Sequence, residues 1–341
     1  MGNIQMYTIE IVDTQKAFRT LVPDWNKMAK VYARTPFQTP QWNLAWWECV
    51  GTFEASLRLH IILVLKINTV CAIAPMMIEI SETNKVLLFL SDPYADYGDT
   101  LVDKSVIEPG TAHATILSYV KQGLGTLWDE VKFREVCSRS GLIDYFHSSA
   151  KNDFKVKLEN GSRCPQLQLQ DEEAFVLAAD KKEYATKQRR LGRKGKLECK
   201  HFTSIEEISK CMPLFIEMHM KEWSHRENKK YTFDDPTIKR FFSESISYLA
   251  SGGLLILTEL SLDENLLAYY YGFIFKRIYW GYRLSFNTEY YRFSPGHVMH
   301  RMMFYHLREK GLQGFDFMRG YEPYKYRYAN TEFINQNIYL T

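Results

Sequence analysis

The segment from Tyr279 to Lys325 restricts the fold more than any other part of this 341-residue chain. Tyr279 to Phe286 is an aromatic strand-forming run, and a polar turn leads from it to Ser294-Pro295-Gly296. An apolar helical stretch then reaches Lys310-Gly311, and Phe315 to Gly320 is strand material again. This is a strand, a helix and a strand, and open α/β sheets bind ligands beyond the carboxyl ends of strands. Arg283 to Phe286, the helix entry and Asp316 to Gly320 are expected to converge there. At the entry, Ser294 suits the N-cap, Pro295 the first helical position, and Gly296 lets a ligand approach the backbone. Unpaired N–H groups on Gly296, His297 and Val298, with Arg292 just upstream, predict a phosphate or other anion site. An ordinary capped helix is the other reading of the same residues.

The composition suits a globular chain, since 46% of residues are hydrophobic and 24% charged. A net charge of only +3 does not point to a nucleic-acid protein. Cys49, Cys71, Cys137, Cys164, Cys199 and Cys211 form no C-x-x-C pair, so no zinc ribbon or redox motif is indicated and no metal is expected. Met1 to Glu10 lacks a cationic-then-apolar leader, and Leu57 to Ile67 is too short to span a bilayer. A reduced cytoplasmic protein is expected.

In chain order, Gln5 to Val12 predicts a strand and Thr14 to Tyr32 a helix that Pro23 can break. Thr39-Pro40 opens a second helix. Leu57 to Lys66 and Val70 to Ile80 read as a hairpin turning at Asn68-Thr69, and Val86 to Leu90 as a further strand. That strand delivers Ser91 to Asp99, with three carboxylates and two tyrosines. The loop reads either as an Asx-rich surface turn or as a site for a general base or amine recognition. Gly110 to Gln122 predicts a helix, Trp128 to Val136 a strand, and Leu142 to Ala150 a helix. Phe154 to Leu169 is strand material broken at Asn160-Gly161. Lys181 to Lys200 is the one basic run, fit for phosphate binding or for a solvated helix face. Ile205 to Trp223, bearing His219, Glu222 and Trp223, predicts an amphipathic helix. Thr237 to Ala250 is helical, three strands follow from Leu254 to Phe286, and Phe333 to Leu340 closes the chain as a strand.

Ser294-Pro295-Gly296, followed by Phe315-Asp316-Phe317-Met318-Arg319-Gly320-Tyr321-Glu322-Pro323-Tyr324-Lys325, resembles the C-terminal part of the CelD/FemAB-like acyltransferases of the GNAT superfamily. Upstream, Phe37 to Trp42, Ala74-Pro75 and Asp96-Tyr97 with Asp99 resemble that family's N-terminal half. The resemblance implies an α/β fold of the α+β type. Two tandem GNAT-like modules are expected, each a mixed, mostly antiparallel sheet flanked by helices. Residues 1–169 would form the acceptor side and 170–341 the acyl-donor side. It implies N-acyl transfer from an acyl-thioester, on CoA or an acyl-carrier protein, to a small-molecule amine such as an amino sugar or cell-envelope polysaccharide precursor. A Fem-like aminoacyl transferase using tRNA and a non-catalytic binding module on the same fold are the alternatives.

Acyl transfer needs a neutral amine, donors for the developing oxyanion, and a proton or charge for the leaving group. Asp96, Asp99, Asp316 and Glu322 are the base candidates, although Asp316 also suits a cap on a backbone turn. The N–H groups around Leu284 are oxyanion donors if that strand is splayed from its neighbour as in the superfamily. Tyr324 is a proton donor, Lys325 a charge partner, and Arg319 a clamp for phosphate or carboxylate. Tyr97 and Trp223 are substrate contacts. Arg292, Ser294, Gly296, His297 and Val298 would hold the donor. One departure stands out: counted from Arg292, Pro295 and His297 occupy places where the superfamily's pyrophosphate loop carries small residues. That keeps a carrier protein or tRNA open as donor.

Overall fold

The computed structural model describes residues 7–148, 154–224 and 233–341. Gln5 of the first predicted strand and Ala150 of a predicted helix lie outside them. In chain order the elements begin β1 (Thr8–Val12), α1 (Gln15–Tyr32), α2 (Pro40–Cys49), β2 (Leu57–Leu59), β3 (Ile61–Lys66), β4 (Thr69–Ala74), β5 (Met76–Ile80) and β6 (Lys85–Phe89). Next come β7 (Leu101–Val102), α3 (Pro109–Gly123), β8 (Glu130–Val136), α4 (Gly141–Ser148), β9 (Val156–Gln168), α5 (Glu172–Ala179), α6 (Lys182–Gly192), β10 (Leu197–Phe202) and α7 (Ile205–Trp223). The chain closes with α8 (Pro236–Glu244), α9 (Ile246–Ser251), β11 (Leu255–Leu262), β12 (Asn265–Phe275), β13 (Ile278–Phe286), α10 (Pro295–Glu309), β14 (Gly314–Asp316) and β15 (Thr331–Leu340).

These elements form two compact units, Met1–Ser162 with Ile334–Thr341, and Arg163–Phe333. The division falls before the expected 169/170 boundary, and the end of β15 belongs to the first unit. Asn160-Gly161 makes no turn: β9 runs through it without a break, and the chain passes from one unit to the other inside a strand.

In the first unit, β1, β3, β4 and β7 pair antiparallel. A second set joins β2, β5 and β6 antiparallel, adds β8 parallel to β6, and closes with β15 antiparallel to β8. Leu87, Phe89, Ile116, Trp128, Phe133 and Phe146 lie in the core between sheet and helices. Pro23 sits inside α1 without ending it, and the Thr14 hydroxyl accepts the Ala17 N–H at 3.3 Å to start that helix. The β3–β4 turn uses Ile67 and Asn68, both at positive φ, one residue before the predicted pair. The run read as one strand from Val70 is two, because Pro75 separates β4 from β5.

In the second unit the order is β10-β11-β12-β13-β14 followed by the end of β9. All pairs are antiparallel except β13 with β14. Helix α10 buries Val298, Met299, Met303, Phe304 and Leu307 against Tyr270, Tyr279 and Phe315. The helix predicted over Thr237 to Ala250 is divided at Ser245 into α8 and α9. A mixed α/β fold with mostly antiparallel sheets is therefore present, as the sequence implied.

Candidate functional site

The second unit opens where β13 parts from β14. The two strands pair in parallel only through Ile278/Gly314, Tyr279/Phe315 and Trp280/Asp316, whereas β13 continues to Phe286. Along that extension its strand partner is β12. The Asn287 N–H donates to Leu267 O at 2.8 Å, on the β12 side. The preceding Phe286 N–H instead donates to Glu222 Oε2 at 3.2 Å. Backbone groups alternate sides along a strand. The Leu284 N–H, two residues before Phe286, therefore points away from β12 into the opening, where an oxyanion donor was expected.

The entry to α10 differs from the sequence reading in two respects. Ser294 adopts left-handed φ of 49° and its hydroxyl caps nothing; that oxygen accepts from Lys187 Nζ at 2.7 Å. The Ser294 carbonyl turns into the helix and accepts the His297 and Val298 N–H groups at 3.0 and 3.1 Å. Those two groups are consequently satisfied, and Gly296 supplies the remaining N–H, because Pro295 has none. A Cβ built on Gly296 would sit 3.4 Å from Leu284 Cδ2, so this turn lies over the Leu284 side chain. Arg292 stacks over Phe293 at 4.9 Å and Lys194 approaches the same ring at 5.9 Å. His297 stacks on Tyr184 and hydrogen-bonds Tyr328 through Nδ1. Burial, with Arg327 and Lys187 nearby, lowers its pKa to about 4. Among the residues of the basic run, Lys182, Arg189, Arg190, Arg193, Lys194 and Lys196 are exposed, while Lys187 is turned inward to Ser294.

The turn after β14 is built around two buried charges. Asp316 has no exposed surface; it accepts the Met318 N–H at 2.7 Å and Gln166 Nε2 at 2.5 Å. This is the turn-capping arrangement, and it holds Met318 at φ 60°. Lys325, also buried, sends its ammonium to Arg319 O at 2.8 Å, Glu322 Oε2 at 2.9 Å and Met318 O at 3.5 Å. Tyr324, which precedes Lys325 in the chain, is hydrogen-bonded to Tyr270; burial, then the charges of Glu322 and Glu222, push its pKa up. Tyr324 thus stays protonated. Trp223, at the end of α7, stacks on His219 at 5.4 Å.

Asp96, Tyr97 and Asp99 belong to the first unit and all are buried. Asp96 accepts Asn335 Nδ2 through its backbone carbonyl at 3.0 Å, and Tyr97 packs on Phe37 at 6.1 Å. Asp99 accepts the Thr100 N–H at 2.8 Å and the Ser140 hydroxyl. Burial raises its pKa to about 6 against the opposing pull of those bonds and of Arg34. Sequence reasoning missed Gln166, His300 and the particular use of Lys187. Only Lys187 had a signal, its place in the basic run. His300 is buried among rings, with Nδ1 bonded to Gly296 O at 2.7 Å.

Residues 179–326 match the family model described as an acetyltransferase (GNAT) domain. No curated protein sequence matches the chain. Among solved structures, FemX superposes with a TM-score of 0.66 at 9% identity, covering 98% of this chain and 97% of that one. The C-terminal domain of a putative lysylphosphatidylglycerol synthetase from Agrobacterium fabrum gives 0.60 at 10% identity, with coverage of 96% and 92%. A tandem GNAT protein from the clavulanic acid biosynthesis pathway gives 0.51 at 11%, with coverage of 97% and 98%. At these identities the likeness is one of fold. Among the described residues no cluster of three metal-binding side chains occurs, and no helix is long and apolar enough to cross a membrane.

Proposed function

We propose that this chain, in which residues 179–326 match an acetyltransferase (GNAT) domain and whose fold is like that of FemX, is an acyltransferase of the FemAB/CelD-like kind that moves an acyl group from a CoA or carrier-protein thioester to an amine. The observation that carries the reading is the parting of β13 from β14, which leaves the Leu284 N–H aimed into an opening beside the α10 entry. A thioester carbonyl lying there would receive that N–H as its charge develops. The Gly296 N–H, Lys187 and Arg292 would take the phosphates of the donor. Tyr324, kept protonated, would give its proton to the departing thiolate. Asp316 and Lys325 would shape the turn that presents Tyr324, and Arg319 and Trp223 would border the acceptor. Asp96, Tyr97 and Asp99 are the acceptor-side candidates that the first unit carries.

The exposed rings of Tyr321 and Tyr326, 5.7 Å apart beside that turn, fit a sugar-bearing amine such as an envelope precursor. Six free cysteines fit a reducing, cytoplasmic setting. The deciding measurement is titration of the purified protein with acetyl-CoA by calorimetry, followed by thiol release on adding an amine. Binding and amine-dependent thiol release are expected; the absence of both would end the thioester reading. Aminoacyl-tRNA is the second reading. It is favoured by the exposed cations of α6 and by Pro295 and His297 standing where small residues are usual. A steep fall of tRNA affinity with salt, without CoA binding, would select it.

A further inference from the structure

Glu222, noted in the sequence as a residue of the amphipathic helix and given no role there, lies on the side of β13 that faces away from β12. It sits one residue from the end of α7, half-buried, and its carboxylate takes the Phe286 N–H at 3.2 Å. Phe286 and Leu284 present their N–H groups to the same side of the strand, so the carboxylate lies along the edge that also carries the Leu284 N–H. Across the opening, Tyr324 feels the charge of Glu222. Among the described residues, the ionisable groups at this end include His219 and Lys221 on α7, Arg283 on β13, Glu289 after it, and Glu322 beside Tyr324. Arg283 is turned onto the rings of Phe233 and Phe242, at 5.3 and 5.0 Å, and Lys221 pairs with Glu217 at 2.9 Å. A carboxylate beside a protonated tyrosine, next to an oxyanion donor, is the arrangement that an ammonium substrate requires.

We infer that Glu222 receives the acceptor amine, pairing with its ammonium and taking the proton it must lose before attack. The inference rests on the acyl-transfer reading above. The ammonium gives one proton to Glu222, and the freed lone pair forms the C–N bond at the thioester carbonyl carbon. As the C–S bond breaks, the thiolate takes the Tyr324 proton. The second N–H proton shed by the new amide nitrogen restores Tyr324, and Glu222 releases its own proton to water.

Glu222→Gln tests this, because the amide keeps an oxygen for the Phe286 N–H while losing the charge. Thiol release from acetyl-CoA is followed with two small nucleophiles at pH 7: ethanolamine, an ammonium there, and hydroxylamine, already neutral. The variant is expected to lose about 10²-fold in kcat/KM with ethanolamine and to keep its hydroxylamine rate within about threefold. Glu222→Asp, which keeps the charge, is expected to restore part of the ethanolamine rate and serves where the glutamine variant fails to fold. Equal losses with both nucleophiles, or none, would overturn the role of Glu222 while the transfer reading stands. So would a wild type that acylates hydroxylamine and leaves ethanolamine untouched. A wild type inert with both removes the transfer reading and this role with it.

Discussion

Lys325 directs its ammonium at two carbonyls and one carboxylate of a single turn, so truncating it acts on more than charge. Gly320 shows how tightly that turn is closed. It has φ of 136°, and a Cβ there would come within 2.2 Å of Glu322 Oε2 and 2.8 Å of Lys325 Nζ. Lys325→Ala is expected to lower stability by about 1.5–3 kcal/mol, the usual worth of a charged hydrogen bond, and turnover by about 10²-fold. Gly320→Ala is expected to reproduce both losses while Lys325 is kept, since a side chain at that φ is strained and its Cβ separates the ammonium from Glu322. Denaturant unfolding and thiol-release rates on the two variants check this. A Gly320→Ala protein with wild-type stability would show that the turn does not depend on the Lys325–Glu322 pair. The same geometry explains why Lys325 read from sequence as a charge partner for the reaction: its burial under the turn has no local signal, although its spacing from Glu322 allows the pair.

At the level of elements, the junction of β13, α10 and β14 carries the donor side of the proposal. Gly296→Asp places a carboxylate beside Leu284 with only ordinary contact at Cβ, so the helix should fold. Like-charge repulsion should weaken CoA binding by about tenfold or more. Lys187→Ala, which releases the Ser294 hydroxyl, should weaken it by a similar factor. Calorimetry with CoA on both variants, beside their melting curves, is the check; unchanged affinity in folded variants would exclude this helix entry as the donor site. The strand-helix-strand order was legible because Ser294-Pro295-Gly296 and the apolar runs around it are local signals. The parting of β13 from β14 was not, since it depends on pairing that ends at Trp280 and Asp316 with no turn residue to mark it. Ser294 was misread for a related reason: capping residues are recognised by type, whereas its left-handed φ follows from the preceding turn of Tyr290 to Phe293. Pro75 was readable in principle, because a proline inside an apolar run argues against one central strand. Asn160-Gly161 misled in the other direction, as a turn pair that pairing within β9 overrides.

For the molecule as a whole, stability against pH is set by buried groups in both units. Burial lowers the pKa of His113 in the first unit to about 4, and those of His201, His297 and His300 in the second to about 4, 4 and 3. Their value in the unfolded chain is about 6.5. The folded state therefore binds fewer protons than the unfolded state over that interval. The stability they confer is complete above about pH 6.5 and is lost as pH falls through 4. Asp99 runs the opposite way. Its folded pKa of about 6 lies above the ordinary 3.8, so its contribution is complete below that ordinary value and is lost as pH rises through 6. Four histidines against one aspartate predict a net fall in melting temperature between pH 6.5 and 4, and Asp99 can be separated from them by one substitution. Asp99→Asn keeps an oxygen for the Thr100 N–H and the Ser140 hydroxyl while removing the titration. At pH 7.5 the variant is expected to be more stable than wild type by about 1–3 kcal/mol, a discounted conversion of that shift. The two proteins should converge as pH falls to 4, where the wild-type carboxyl is protonated. Denaturant unfolding of both proteins at the two pH values decides it: a stability difference that is the same at pH 4 and pH 7.5 would mean that Asp99 is ionised at both, and that the histidines alone shape the acid limb.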